Sequence, residues 1–209
     1  MKNKLLFLLA FVFLTNIQAS PIYLNQYHSE IKITSWKELR DKNIVKQNLD
    51  YSCGSAAIAT ILNSYYQKNI TEEQVLRVID KGDFMASFDD MQRALKHFGF
   101  ESKGYAVSLD TLQTLKVPVI AYIKHRNSDH FTVISGINKN FVRIADSSLG
   151  QRILTTTQFK KMLETSPNNE LKGKILVVFP AGKNTNTDFF TNKVKQPTTL
   201  AVRVLASQH

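Results

Sequence analysis

The first pattern along the chain is an unbroken run of ten apolar residues, 5–14, close to the N-terminus. Lys2 and Lys4 precede this run, and a short polar stretch that ends at Ala19 follows it. A positively charged start, a short apolar core and a small residue at the cut are the three parts of a secretory signal peptide. Because ten residues are too few to cross a bilayer core of about 30 Å, we expect residues 1–19 to be a cleaved signal peptide.

Helical periodicity dominates the next part of the chain, as far as residue 115. From Cys53 to about Tyr66, small and apolar residues lie on nearly every side, which predicts a buried helix. Gly99 is expected to end another helix. Shorter helices are predicted to begin after hydroxyl-bearing residues that suit the N-cap position, namely Ser35, Thr71, Ser87 and Ser108.

Strand patterns replace the helical ones in the second half. Residues 183–209 show little periodicity and are expected to form a loosely attached tail. Since helices come first and most strands afterwards, the sequence predicts an α+β domain at 20–182, with a helical half packed on a mostly antiparallel sheet. Strands are predicted at 31–34, 117–123, 131–134, 141–144 and 174–179, and a helix at 157–163.

Composition narrows the classes of partner. Hydrophobic residues make up 43% of the chain, which is enough for a core and argues against wholesale disorder. The formal net charge of +10 fits an acidic partner, but there is neither a dense basic run nor a Gly-rich phosphate loop. We therefore expect no nucleic-acid partner, no cofactor, and no membrane span after signal removal. Four aromatic residues are expected in the core: Phe84, Phe88, Phe98 and Phe100.

Cys53 is the single cysteine, which excludes an internal disulfide and a cysteine-rich zinc site. Exported proteins usually pair their thiols, so Cys53 is a buried inert thiol, an intermolecular linker or a reactive group. It begins the predicted buried helix, where the helix dipole favours the thiolate and backbone N–H groups can bind an oxyanion. Gly54 lets other atoms approach the sulfur, and the side-chain amide of Gln47 could supply a second oxyanion donor.

A nucleophilic cysteine needs a base, and the chain has five histidines. Of His125 and His130, which flank one loop, His130 is the better candidate because it opens a predicted strand that holds its backbone in place. Asp146 closes the next predicted strand, and antiparallel pairing through the turn at 136–139 would bring it beside His130 to orient the imidazole. The other three histidines are expected to be surface or packing residues: His28, His97 and His209.

These residues and their spacing resemble the bacteriocin-processing cysteine peptidases, a papain-like family that removes double-glycine leader peptides. The resemblance covers about residues 40–165 and includes a downstream strand and helix at 150–163. The shared pattern is Gln-x5-Cys-Gly-x-Ala at Gln47, Cys53, Gly54 and Ala56, then His-Phe-x-Val at 130–133, then Asp146 sixteen residues after His130.

The resemblance implies a papain-like fold and a role for each of four residues. Cys53 would be the nucleophile, His130 the general base and acid, and Asp146 the orienting carboxylate. Gln47 and the Cys53 backbone N–H would bind the oxyanion. Two features depart from the family pattern. Ser147 stands where Pro is common, and we expect a signal peptide before the domain and no transporter domain after it.

The sequence therefore predicts an exported cysteine endopeptidase that hydrolyses a peptide bond in another secreted polypeptide. The chain looks most similar to small exported members of the family, some of which accompany the secretion of functional amyloid or other surface fibres. The substrate would then be a fibre component or a leader-bearing peptide, cut after Gly-Gly or a similarly small pair. We expect the compartment to be the periplasm, with secretion from the cell as the other possibility, and the oligomeric state is not predicted.

Other functions stay open at this point. A catalytically silent peptide-binding or chaperone module of a secretion system could keep the same groove, although it would not need a thiol, an imidazole and a carboxylate together. A transpeptidase or amidase could use the same triad. A zinc site would need Cys53, His125, His130 and Asp146 as ligands, which leaves the spacing to Gln47 unexplained.

Overall fold

A computed structural model describes residues 34–125, 128–167, 171–179, 182 and 185–196. The predicted signal peptide, 1–19, lies outside the described residues, as do 31–33 of the strand predicted at 31–34 and 197–209 of the predicted tail. Across the part of the chain that the structure describes, no helix is both long enough and apolar enough to cross a membrane.

Helices form where the apolar periodicity and the capping residues predict them. At Ser35, Thr71 and Ser87 the hydroxyl accepts a bond from the backbone N–H three residues on, and the side chain there bonds back to the backbone N–H of the cap. This reciprocal capping box satisfies donors that a helix start leaves without partners. The α-helices of the described residues are α1 (Trp36–Asp41), α2 (Cys53–Ser64), α3 (Glu72–Ile79), α4 (Phe88–His97), α5 (Leu109–Gln113) and α6 (Thr156–Leu163).

The strands join into one sheet. They are β1 (Glu101–Val107), β2 (Val119–His125), β3 (Ser128–Ile137), β4 (Phe141–Asp146), β5 (Gly150–Thr155) and β6 (Gly173–Phe179). Their spatial order is β1–β6–β2–β3–β4–β5, and each neighbouring pair of these described strands is antiparallel. The predicted α+β fold is thereby confirmed.

Strand β1 was not predicted, because its sequence lacks a buried face. Four consecutive residues in its middle are exposed, and it pairs on one side with β6 at the edge of the sheet. A strand of this kind is held by its backbone bonds to β6 and by α4 packed beside it, so its side chains need no hydrophobic alternation.

The sheet is covered on both faces. Alternate residues of the central strands point to opposite sides, so that Ile120 packs with α2 and α4, whereas Ala121 packs with α5 and α6. Phe100 is buried, and Phe88 and Phe98 are partly buried against the same cluster. The expectation for Phe84 is wrong: it is 77% exposed, because it lies in the turn that leads from α3 to α4 rather than on either helix.

Residues 185–196, which belong to the segment predicted as a tail, are hydrogen-bonded to the domain. Asn186 donates from its backbone N–H to the Tyr65 carbonyl (2.6 Å) and from its side chain to the Ser64 carbonyl (3.2 Å), at the C-terminal end of α2. Thr191 pairs with Gly136 on β3. A Cβ at Gly136 would lie 2.6 Å from the Thr191 carbonyl oxygen, so only glycine permits this approach.

Arg143 on β4 holds the same segment. Its guanidinium donates to the Ser135 hydroxyl (3.1 Å) and carbonyl (2.9 Å), and to the Phe189 carbonyl (2.7 Å). Burial lowers the pKa of the Arg143 guanidinium, because the charged form has lost water. These carbonyl oxygens replace that water, so Arg143 ties the C-terminal segment to the sheet.

We expect Arg143→Ala to lower the free energy of unfolding by roughly 2–4 kcal/mol, because it leaves half-buried acceptors without their charged donor. Urea denaturation followed by circular dichroism measures this loss. Lys160→Ala is the control, since Lys160 makes a surface pair with Glu164 at 3.7 Å and its removal should cost less than about 1 kcal/mol. Equal losses in the two variants would contradict the role assigned to Arg143.

Candidate active site

Cys53 is the first residue of α2, and the residues before it shape the start of that helix. The Ser52 hydroxyl makes no cap bond to the helix; it donates instead to the Leu49 carbonyl (2.8 Å). Backbone N–H groups in the first turn of a helix have no acceptor within the helix, so the Cys53 N–H is available to a negatively charged group. Cys53 is 1% exposed and is part of the core cluster between α2 and the sheet.

His130 and Asp146 meet across β3 and β4. The register pairs Val133 with Ala145, and continued by one residue it sets Thr132 opposite Asp146. His130 is two residues from Thr132, so it lies on the same face as Asp146 and diagonal to it. The distance from His130 Nε2 to Asp146 Oδ2 is 3.0 Å.

The imidazole of His130 lies between the carboxylate and the thiol. Nε2 bonds Asp146, and Cys53 is the other side chain that acts on the ionisation of the ring. Burial by itself lowers the pKa of His130, but Asp146 and Cys53 outweigh that effect and raise the pKa to about 9. The ring is therefore an imidazolium at neutral pH.

Asp146 is buried and held by three donors. Its Oδ1 accepts the backbone N–H groups of Ser148 (3.0 Å) and Leu149 (2.9 Å), while Oδ2 faces His130. Burial acts to raise the pKa of the Asp146 carboxyl, but His130 and the two backbone groups outweigh it and lower that pKa. The carboxylate is thus fixed in charge and orientation by the turn that follows β4.

Gln47 lies on the loop that leads into α2 and contacts the same turn. Its Oε1 accepts the hydroxyls of Ser147 and Ser148, each at 2.8 Å. Its Nε2 donates to the Leu49 carbonyl at 3.0 Å. Since a primary amide carries two N–H groups, the second remains available to a bound group.

The structure brings three of the predicted site residues into one row: Cys53, His130 and Asp146. It joins Gln47 to the turn after Asp146. In the described part of the chain, no three His, Cys, Asp or Glu side chains are grouped so that they could hold a metal ion. Of the remaining histidines, His97 ends α4 with its ring against Phe98, His125 ends β2, and His28 and His209 lie outside the described residues.

Sequence reasoning missed three residues that hold the site. Ser147 stands out in the sequence only as a departure from the family pattern, and nothing in the sequence singles out Ser148. Glu72 begins α3, and its buried carboxylate accepts the backbone N–H (2.9 Å) and the side-chain amide (2.7 Å) of Asn48. No local pattern identifies such contacts, since the partners lie 24 to 101 residues apart in the sequence.

A cleft of about 250 Å³ opens beside the start of β3, where Asp129 and Phe131 line it. Phe131, next to His130 in the chain, lines this cleft together with Phe88, Tyr122 and Met85. The Phe131 ring also lies 3.4 Å from where a Cβ at Gly54 would be, so this lining ring packs against the first turn of α2. Its mainly apolar lining suits the side chains of an extended peptide.

Comparison with known proteins assigns the family. The model of the Peptidase C39 family matches residues 41–165. A protein named "Probable functional amyloid protease FapD" from Pseudomonas fluorescens is 37% identical over 135 residues, which are 61% of this chain and 60% of that protein. The protein of the same name from Pseudomonas aeruginosa is 30% identical over 139 residues, or 62% and 61% of the two chains. The match thus spans about three fifths of the length of these curated relatives.

Solved structures support the fold. A double glycine motif protease from an AMS/PCAT transporter, in complex with the leader peptide, superposes with a TM-score of 0.55 at 24% identity, over 65% of this chain and 89% of that one. The peptidase domain of Streptococcus ComA gives 0.54 at 19% identity, over 65% and 96%. The predicted resemblance to double-glycine leader peptidases and the predicted papain-like fold are both confirmed. The family model covers more than half of the chain, and the chain therefore belongs to the Peptidase C39 family.

Proposed function

We propose that this chain is an exported cysteine endopeptidase that hydrolyses a peptide bond in another secreted polypeptide. The observation that carries the proposal is the row in which the His130 imidazole lies between the Cys53 thiol and the Asp146 carboxylate. Cys53 is the nucleophile, His130 the general acid and base, and Asp146 the group that orients the ring. Gln47 and the Cys53 backbone N–H bind the oxyanion.

The first half of the reaction forms a thioester. The Cys53 thiolate attacks the substrate carbonyl carbon, and the carbonyl oxygen takes the negative charge. The Gln47 amide and the Cys53 N–H donate to that oxygen. His130, as imidazolium, gives its proton to the leaving nitrogen, the C–N bond breaks, and an amine leaves.

The second half releases the acid. Neutral His130 takes a proton from water, the resulting hydroxide attacks the thioester carbon, and the C–S bond breaks. The thiolate is restored beside a protonated His130, so the site returns to its starting charge. Asp146 keeps its charge throughout, because its two backbone N–H bonds and His130 stabilise the carboxylate.

The burial of Cys53 supports small residues at the cleavage site. The thiol is 1% exposed and the His130 side chain 14% exposed, so a carbonyl can reach the sulfur only on a thin stretch of chain. Glycine is the residue that allows such close backbone approach. A Gly-Gly or similarly small pair agrees with this, and with the solved relative described as a double glycine motif protease.

The predicted signal peptide and the relatives support a substrate outside the cytosol. Two relatives carry the name of a probable functional amyloid protease. We therefore propose that the substrate is an exported fibre component or a leader-bearing peptide, met in the periplasm or outside the cell.

Alkylation tests whether Cys53 is a reactive thiol. Because Cys53 is the only cysteine, iodoacetamide labels a single site. We expect fast labelling at pH 6, well below the ordinary thiol pKa of about 8.5, and a rate at least about tenfold lower in His130→Ala. His97→Ala is the matched control and should label like wild type. Labelling that is slow at pH 6 and unchanged by His130→Ala would show an inert thiol.

Hydrolysis is tested with a synthetic peptide that contains a central Gly-Gly pair, in water enriched in ¹⁸O. We expect mass spectrometry to find a new carboxyl terminus carrying one ¹⁸O, no ligated product, and no cleavage of a matched Val-Val peptide. Cys53→Ala should abolish cleavage without unfolding the protein. Cleavage that persists in Cys53→Ala, or label-free ligated products, would refute the peptidase assignment.

The pH profile tests the pair formed by His130 and Asp146. Since the pKa of His130 is raised to about 9, the proton that the leaving nitrogen needs is present at neutral pH and is lost as pH rises through 9. We expect kcat/KM to fall on that alkaline side, and Asp146→Asn to move the fall to lower pH because the charge that stabilises the imidazolium is removed. Asp110→Asn on α5 serves as the control, and an alkaline limb that Asp146→Asn leaves in place would contradict the pairing.

A further inference from the structure

We propose that the Ser147 and Ser148 hydroxyls are positioning groups that orient the Gln47 amide as an oxyanion donor. The inference rests on the proposed function, because it concerns the same site. It assigns a role to two residues of the turn after β4, one of which departs from the family pattern.

The two ends of the amide can be told apart from their partners. The Leu49 carbonyl can only accept a hydrogen bond, so the atom 3.0 Å from it is the nitrogen, Nε2. The oxygen, Oε1, then faces the hydroxyls of Ser147 and Ser148 at 2.8 Å each. Both hydroxyls donate to the same oxygen.

The carbonyl that binds Nε2 is also a marker of where the amide lies. The Leu49 oxygen accepts the Ser52 backbone N–H at 3.2 Å and the Ser52 hydroxyl at 2.8 Å. Ser52 directly precedes Cys53. Nε2 is therefore one hydrogen-bond length from an atom that is itself bonded to the start of α2, which is where an oxyanion would form.

Orientation matters because the terminal torsion of glutamine has a broad, nearly two-fold profile. With the amide turned over, Oε1 would face the Leu49 carbonyl and the developing oxyanion, and both contacts would be repulsive. The Leu49 carbonyl, which can only accept, decides between the two orientations, and the two hydroxyl bonds to Oε1 hold the amide in the one that results. Ser147 is 2% exposed, so water does not readily replace its hydroxyl.

The backbone of the Gln47 loop is held independently of the serine side chains. Glu72 binds Asn48 through two bonds, and the Val45 N–H donates to the Thr60 hydroxyl at 3.0 Å. The Gln47 N–H itself donates to the Ser147 carbonyl at 3.3 Å, a bond that any residue at 147 can accept. Removing the two hydroxyls therefore leaves the loop in place and leaves the amide with only its bond to the Leu49 carbonyl.

The test is a double-mutant cycle on cleavage of the Gly-Gly peptide. Gln47→Ala should lower kcat by roughly 10²–10³-fold, and the pair Ser147→Ala with Ser148→Ala by roughly 3- to 30-fold with little change in KM. In a Gln47→Ala background the serine changes should cost nothing further, because the group they orient is gone. Ser148→Thr keeps the hydroxyl and should retain more activity than Ser148→Ala.

Alkylation separates this role from an effect on the thiol. Attack on iodoacetamide forms no oxyanion, so the serine variants should label at the wild-type rate. A lower labelling rate would show that the serines act on Cys53 or His130, and this would overturn the proposal. So would unchanged kcat in the double variant, or an equal loss with and without Gln47.

The mobility of the Gln47 amide can also be measured directly, without a substrate. The side-chain ¹⁵N–¹H signals of Gln47, assigned by their loss in Gln47→Ala, should show a rigid amide in wild type and a mobile one in the double serine variant. An amide that stays equally rigid would refute the positioning role even if the Gly-Gly peptide is not cleaved. The two failures can be told apart. The peptidase proposal fails in the cleavage assay of wild type and Cys53→Ala, whereas the positioning proposal fails in the mobility of the Gln47 amide.

Discussion

The contact between His130 and Asp146 is the constraint on which the rest of the site depends. It needs a strand register that is correct to the residue, because a slip by one position would turn His130 to the other face of the sheet. Buried side chains on both faces specify that register: Phe131 and Val133 pack on one side, and Ile134 on the other. The alternating hydrophobic residues of β3 thus fix the geometry of the contact between His130 and Asp146, although neither of these two residues is part of that hydrophobic pattern.

One short turn serves both halves of the proposed chemistry. The backbone of residues 147–149 binds the Asp146 carboxylate, and two of its hydroxyls bind the Gln47 amide. A buried carboxylate is costly unless several donors face it, and backbone N–H groups in a tight turn supply them without side-chain entropy. The hydroxyls of the same turn are then free to point the other way, towards the loop before α2. A displacement of this turn would therefore disturb both the Asp146 carboxylate and the Gln47 amide.

Much of the fold follows from local pattern, and so does the row of three residues. The capping hydroxyls mark the helix starts, β-branched runs mark β2, β3, β4 and β6, and a hairpin between two strands predicts that His130 and Asp146 meet. The sequence does not predict strand β1, because the residues of this strand are mostly exposed. It predicts a buried Phe84, which is wrong because composition does not distinguish a helix from a turn. The contacts of Glu72, Ser147 and Ser148 have no sequence signature, since each is a polar bond between residues that only the tertiary fold brings together.

The C-terminal segment shows how far the site depends on residues outside the family match at 41–165. Asn186 binds the end of α2, Thr191 pairs with β3, and Arg143 on β4 binds Phe189. These are the three elements that carry Cys53, His130 and Asp146, and the segment touches each of them away from those residues. Because one short segment bonds to all three elements, it restrains how α2, β3 and β4 can move relative to one another.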